Sequence, residues 1–301
     1  MSIKNVVLIG AGGNLGPSIL NALLNDSSFN VTVLSREGSS STFPDNVKVV
    51  RANYDSLDSL KSAFEGQDAI VSTVASFGLG IQTKLIDAAI AAGVKRYIPS
   101  EFGSNTDNPR VLEVVPPFQG KVAIQNYLKS KQNEISWTTV VNGPFFDWGL
   151  KVGFIGINGQ TKTATLIDGG KAPFSATNLR QVGLGVVKIL EKAEETKNKV
   201  VYLSSFETSQ KELLEAAEKF TGEKWTVEDV TSESLQEAGN NKLKAGDPSG
   251  IIDLIKAAIS SKEALGNHSK LAKEWNEKLG LQKEDFEESV KAGLSGKNYG
   301  Q

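Results

Sequence analysis

Asn5-Val-Val-Leu-Ile-Gly-Ala-Gly-Gly-Asn-Leu-Gly16 is the stretch on which the fold turns. Val6 to Ile9 form an unbroken apolar run, as expected of a strand buried on both faces of a parallel sheet. Beyond the glycines, Leu15, Ile19, Leu20 and Leu23 recur at helical spacing, with Pro17 where a first turn tolerates it. Gly10 permits a tight turn, Gly13 lets the main chain approach a pyrophosphate, and Gly16 lets helix and strand pack closely. Asn14 and Leu15 complete the loop, and free N–H groups at the helix start attract anions. The spacing is GxxGxxG, because Leu15 takes the last position that GxGxxG reserves for glycine. A glycine-rich turn without a ligand has a similar string. The strand before and the amphipathic helix after favour a dinucleotide site.

The alternation continues outward. Val31–Ser35, Val47–Arg51, Ala69–Val74, Lys95–Ile98 and Trp137–Asn142 read as strands. Between them, helical patterns run from Asp55 or Ser56 to about Gly66, over Gln82–Ala92 and over Gly120–Lys131. Such an order implies parallel strands joined by right-handed crossovers, with helices on both faces. After Pro144 the pattern loosens into glycine-rich turns and brief strands. A helix is expected near Leu179–Lys192, a strand at Val200–Leu203, a capping box at Ser209 and Glu212, and mainly helices from Thr231. The expected class is α/β: a Rossmann-type doubly wound parallel sheet over residues 1–150. A smaller mixed α/β substrate lobe follows over 151–301, and its strand near 200–203 returns to the sheet.

Arg36 stands at the end of the second strand, 20 residues beyond Gly16. An acidic residue there would hold a ribose 2′-hydroxyl and repel a 2′-phosphate. Arg36 can instead fork onto the phosphate, with Ser35 and Ser39 as further donors. The expected cofactor is NADP(H). Glu37 next door leaves a solvated Arg-Glu turn as the competing reading.

Composition narrows the remaining classes. Thirty-three basic residues against 35 acidic ones give a net charge of −2, without the basic stripe that nucleic acid requires. With no cysteine and one histidine, thiol nucleophiles, thiolate zinc sites and multi-histidine metal sites are excluded. No apolar run approaches the roughly 20 residues of a membrane span, and the first strand begins too early to leave room for a signal peptide. A soluble, cytoplasmic protein with a small-molecule substrate is expected.

The segment Gln82-Thr-Lys-Leu-Ile-Asp-Ala-Ala-Ile-Ala-Ala-Gly-Val-Lys-Arg-Tyr-Ile-Pro-Ser-Glu-Phe-Gly103 resembles the isoflavone reductase-like branch of the NmrA-like family, which are atypical short-chain dehydrogenase/reductases. The glycine loop, Ser35-Arg36, Pro99-Ser-Glu-Phe-Gly103 and Asn142-Gly-Pro-Phe-Phe-Asp-Trp148 occur in the family's order. The resemblance is good over residues 4–150 and fainter through Val200–Gly222. It implies a catalytic lysine at Lys121, and it sets Ser76, Phe77, Gln82, Asn142, Pro144 and Phe145 beside the cofactor. It also implies, by family habit alone, a homodimer. Related fungal regulators in the family bind NADP without reducing anything, so a non-catalytic sensor acting through protein contacts is the rival reading.

Pro117 stands four residues before Lys121, where the ordinary Tyr-x-x-x-Lys pair would carry its tyrosine. A literal Tyr-x-x-x-Lys occurs at Tyr127 and Lys131, but it begins about 9 Å further along an ideal helix. Those residues are expected to pack and to solvate the helix end. Lys121 could bind ribose hydroxyls, act as a base after desolvation, or as a cation donate to an oxygen gaining charge. In the family's phenylpropanoid reductases the lysine is thought to deprotonate a phenol, giving a quinone-methide-like hydride acceptor. Phe77, Phe146, Trp148 and Phe154 are the candidate substrate contacts, suited to an aromatic or conjugated metabolite. Asp147 could meet a substrate hydroxyl or cap a turn. His268 reads as a helix start or exposed turn with the chemistry of a proton shuttle. Glu101 either holds the loop beside the nicotinamide or anchors structure. Two departures from the family stand out: Asn53 replaces an acid after the third strand, and Phe174–Leu179 lacks an Asp-Ile pair.

Overall fold

The computed structural model describes residues 2–26, 28–74 and 80–300. The chain divides into two compact units: Met1–Phe102, Gly120–Val140 and Val182–Val201 form the first, and Gly103–Gln119, Val141–Gln181 and Tyr202–Gln301 the second. A single cut near residue 150 does not describe this division. Segments leaving the strand ends belong to the second unit, while later helices and a strand return to the first.

The first unit is built on β1 (Asn5–Ile9), β2 (Asn30–Arg36), β3 (Lys48–Ala52), β4 (Ala69–Ser72), β5 (Arg96–Ile98) and β6 (Ser136–Val141). With β10 (Lys199–Tyr202) they make a seven-stranded sheet of order β10-β6-β5-β4-β1-β2-β3. The β1–β2, β1–β4, β2–β3, β4–β5 and β5–β6 pairings are all parallel. Val6 pairs with Val31 on one side and Ala69 on the other, so the strand order reverses beside β1. A crevice at the carboxyl ends of such a reversal is where doubly wound sheets take ligands. Helices α1 (Gly16–Asn25), α2 (Leu57–Phe64) and α3 (Gln82–Ala91) supply the crossovers. Ser56 caps α2 by accepting from Ser59 N–H, as its position in the sequence suggests.

Ile9, Leu34, Phe64, Ile70, Leu85 and Tyr97 share one buried core here with residues of α5 (Gln119–Ser130). Arg96 is fully buried in β5 and donates to Ser136 Oγ (2.9 Å), Thr138 Oγ1 (2.8 Å) and the Ala193 carbonyl (2.5 Å). It thereby ties β5 and β6 to the chain that follows α7 (Leu179–Glu191). Such acceptors satisfy the guanidinium, while burial still pulls its pKa down to about 10.

The second unit is the mixed one. Its three-stranded sheet runs β12 (Thr226–Val230), β8 (Thr163–Ile167), β7 (Ile157–Asn158), and β9 (Phe174–Ala176) pairs antiparallel with β11 (Phe206–Thr208). Around them lie α4 (Pro109–Val114), α6 (Phe146–Lys151), α8 (Gln210–Thr221), α9 (Ser232–Lys244), α10 (Gly250–Ser260), α11 (Ser269–Leu279) and α12 (Phe286–Leu294). The capping box of Ser209 and Glu212 opens α8 as expected.

Candidate functional site

Two glycines of the loop after β1 are closed to any side chain. A Cβ on Gly16 would lie 2.3 Å from the Gly10 carbonyl oxygen. One on Gly10, whose φ is +83°, would lie 2.6 Å from the Thr73 carbonyl oxygen. Gly13 is looser, with the Gly10 oxygen at 3.4 Å from its would-be Cβ. Behind this loop α1 starts at Leu15 with no side-chain cap, Pro17 in its first turn and no acid there. Its leading N–H groups and dipole are left for an anion. Leu15 itself is buried, and Asn14 is exposed. These features fit a dinucleotide pyrophosphate.

The loop after β2 folds back toward the glycines. Ser35 is buried, Arg36 is exposed, and Ser39 N–H donates to the Arg36 carbonyl at 3.1 Å. Arg51, paired in register with Ser35, donates to the carbonyls of Ser39 (2.7 Å) and Ser41 (3.3 Å). Ser41 Oγ then sits 3.3 Å from where a Cβ on Gly12 would be. The Arg36 guanidinium makes no hydrogen bond or ion pair among the described residues, so it is open to a phosphate. Sequence reasoning missed Arg51 and Ser41. Their signal was the strand register, which places Arg51 beside Ser35. Asn53 is occupied as a turn former: its Oδ1 accepts from Asp55 N–H at 2.9 Å.

Lys121 lies in the first turn of α5, 7% exposed, and its ammonium donates to the Glu101 carbonyl. Burial pulls its pKa below the ordinary 10.5, and the Glu101 carboxylate works against that shift. The chain before Glu101 is pinned from two elements. Ser100 N–H donates to Gln82 Oε1 (2.8 Å), and Ser100 Oγ donates to the Val74 carbonyl (2.7 Å). Gln82, expected at the cofactor, thus has its carbonyl engaged in holding the segment that holds Lys121. Glu101 serves that anchor as well. Ser76 and Phe77 lie outside the described residues. Tyr127 donates to the Asp87 carboxylate and Lys131 pairs with Glu134 at 3.0 Å, the packing and solvated roles expected of them.

In the second unit Asn142 is fully buried. Its Nδ2 donates to the Gly143 carbonyl (2.8 Å), its main-chain oxygen accepts from Thr177 Oγ1 (2.6 Å), and its Oδ1 has no partner among the described residues. A buried amide oxygen left open suits a ligand donor. The Pro144 carbonyl accepts from Thr177 N–H at 3.1 Å, and half-buried Phe145 leads into α6. The substrate assignment of Phe146 is corrected: it is 0% exposed, with ring centroids of Phe206 and Phe286 at 4.7 and 5.7 Å. It is core. Trp148 and Phe154 are half-buried and 5.8 Å apart, with Phe145 edge-on to Trp148 at 6.3 Å.

Asp147 is a cap. Its carboxylate accepts from the N–H groups of Trp148 (2.9 Å), Leu179 (3.1 Å) and Tyr299 (2.9 Å), and burial raises its pKa. It supplies the anion at the start of α7, where the segment lacks its Asp-Ile pair. His268 begins α11, as read, but it is buried rather than exposed. Its Nε2 lies 3.0 Å from the Leu203 carbonyl oxygen, and burial holds its pKa below 6.5. Among the described residues no cluster of three or more acidic or histidine side chains could hold a metal ion.

The NmrA-like family model matches residues 2–273. The chain belongs to the NmrA-like family. Oxidoreductase aprR of Aspergillus flavus is 36% identical over 300 residues, covering 98% of this chain and 100% of that one. The isoflavone reductase homolog IRL of Zea mays is 33% identical over 186 residues, 59% of this chain and 58% of its own. The solved binary complex of leucoanthocyanidin reductase with NADPH from Vitis vinifera superposes with a TM-score of 0.74 at 19% identity, covering 88% of this chain and 89% of that chain. That likeness is one of fold.

Proposed function

We propose that this protein is an NADPH-dependent reductase of a small aromatic or conjugated metabolite, with Lys121 assisting the chemical step. The observation that carries the proposal is a buried lysine amine aimed at a pinned carbonyl, in the same unit as an uncapped helix behind side-chain-intolerant glycines. Similarity to a fungal oxidoreductase over nearly the whole chain supports it, as does the shared fold with a reductase solved with NADPH.

Gly10, Gly13, Asn14, Leu15 and Gly16 would hold the pyrophosphate, and Ser35, Arg36 and Ser39 the 2′-phosphate. When bound, the reduced nicotinamide supplies a hydride. Lys121 handles the proton. Burial disfavours its charged form, which favours a role in accepting a proton from a substrate hydroxyl. The Glu101 carbonyl orients the amine in either protonation state. Trp148 and Phe154 remain the proposed substrate contacts. Cytoplasmic residence and a homodimer belong to the same proposal; among the described residues no helix is long and apolar enough to cross a membrane.

Screening phenolic and polyketide-like enones for NADPH oxidation tests the reading, with Lys121→Ala as control. The variant should lose turnover by about 10²- to 10⁴-fold while binding NADPH within a few-fold of the parent. Equal loss of both would make Lys121 a binding residue, and unchanged turnover would reject its role. Tight NADPH binding without turnover, joined to a protein partner whose affinity follows the redox state, would favour the sensor.

A further inference from the structure

We infer that Lys256, with the rings of Phe154 and Trp148, forms a recognition site for a flat aromatic ligand carrying a carboxylate. The inference deepens the functional reading above and rests on the second unit receiving the substrate.

Three observations converge. First, Phe145, Trp148 and Phe154 make a continuous ring surface that stays half-buried, while their neighbour Phe146 is sealed in the core. A planar apolar ligand is the natural complement of such a surface. Second, Lys256 of α10 brings its ammonium to 5.9 Å from the Phe154 ring centroid. Third, that ammonium has no hydrogen-bond or ion-pair partner among the described residues. Asp253, one turn earlier on α10, is the acid that acts on it, but Asp253 is already paired with Lys242 at 2.7 Å.

A lysine in solvent keeps its head hydrated and lays its stem along apolar surface. Lys256 departs from that habit, because burial shifts its amine toward the neutral form. The Phe154 ring attracts the half-desolvated cation but offers its N–H groups no oxygen acceptor. An anion placed over the rings would restore the lost solvation and form a charge-assisted hydrogen bond. A carboxylate fits better than a phenol, which stays protonated near neutrality.

The test uses the full-length protein with trans-cinnamate and its uncharged analogue cinnamamide, titrated by calorimetry and by tryptophan fluorescence at low salt. Wild type should bind cinnamate about tenfold more tightly than cinnamamide. Lys256→Met should abolish that preference and leave cinnamamide affinity within about twofold, while Lys256→Arg should restore it. Trp148→Ala should weaken both ligands together. Melting curves on each variant separate loss of the site from loss of the fold, and the wild-type comparison stands even where a variant does not fold. Equal affinity for both ligands, a preference that survives Lys256→Met, or no binding of either would overturn the inference. An NADPH titration run in parallel keeps the two readings apart: NADPH bound without a carboxylate preference removes this site and leaves the reductase reading intact.

Discussion

The glycine loop of the first unit and the aromatic wall of the second differ in what carries their geometry. In the loop, close main-chain approaches to Gly10 and Gly16, two members of one short contiguous motif, exclude side chains at both. In the wall, the Phe154 ring, packed in series with Trp148 and Phe145, meets a lysine about a hundred residues further along the chain. A site made from contiguous main chain leaves a motif in the sequence. One made from tertiary side-chain contacts does not, and its members are told from core only by burial.

That contrast is sharpest at the two adjacent aromatics after β6. Phe146→Ala should destabilise the protein by about 3–5 kcal/mol, read in denaturant unfolding, because it empties a sealed core position. Trp148→Ala should cost much less stability and act instead on ligand affinity. A Trp148 variant as unstable as the Phe146 variant would erase the distinction between wall and core.

Inside the loop the same logic separates two glycines. Gly16→Ala places a methyl against the main chain of Gly10 and Ala11 and should cost about 1–3 kcal/mol together with nucleotide binding. Gly13→Ala meets only ordinary contact and should stay within about 0.5 kcal/mol of the parent in stability. Any loss it shows should appear in nucleotide affinity. Equal destabilisation by the two would mean that the loop is not held by the Gly10–Gly16 approach.

The smallest effect is a slope. Because burial depresses the Lys121 amine in the folded state, the unfolded chain binds the extra proton between that lowered value and 10.5, and stability attributable to Lys121 rises with pH across the window. Below the lowered value the penalty of burying the cation is fully present. The difference in melting temperature between wild type and Lys121→Met should therefore move in favour of wild type as pH is raised toward 10.5. A difference independent of pH would show that the amine is not desolvated.

Much of the fold was legible because the central strands β1, β2 and β4 are rich in apolar residues and the crossover helices have a periodic face. The expected ends fall within about two residues of those found for β1 to β6. β12 was not legible, since Thr226 to Asp229 are exposed and carry no alternating apolar pattern. The discontinuous division was not legible either, because the segments that leave β5 and β6 are locally ordinary turns and helices. Within the site, Lys121 could be placed by motif, but its hold on Glu101 and the pinning of Ser100 by Gln82 are long-range bonds. The burial of His268 was not legible for a related reason: Gly266-Asn-His-Ser269 reads equally as a helix start or a surface turn, and only the fold shows a helix start with the ring against the Leu203 carbonyl.

The central claim is that the first unit seats a phosphorylated dinucleotide on its glycine loop, with Arg36 reading the 2′-phosphate. Titrating wild type and Arg36→Ala with NADPH and NADH tests it most directly. The account predicts NADPH bound by wild type roughly ten- to a hundredfold more tightly than NADH, with that preference lost in Arg36→Ala and NADH affinity unchanged. Equal affinity of wild type for the two nucleotides, or no binding of either, would contradict it.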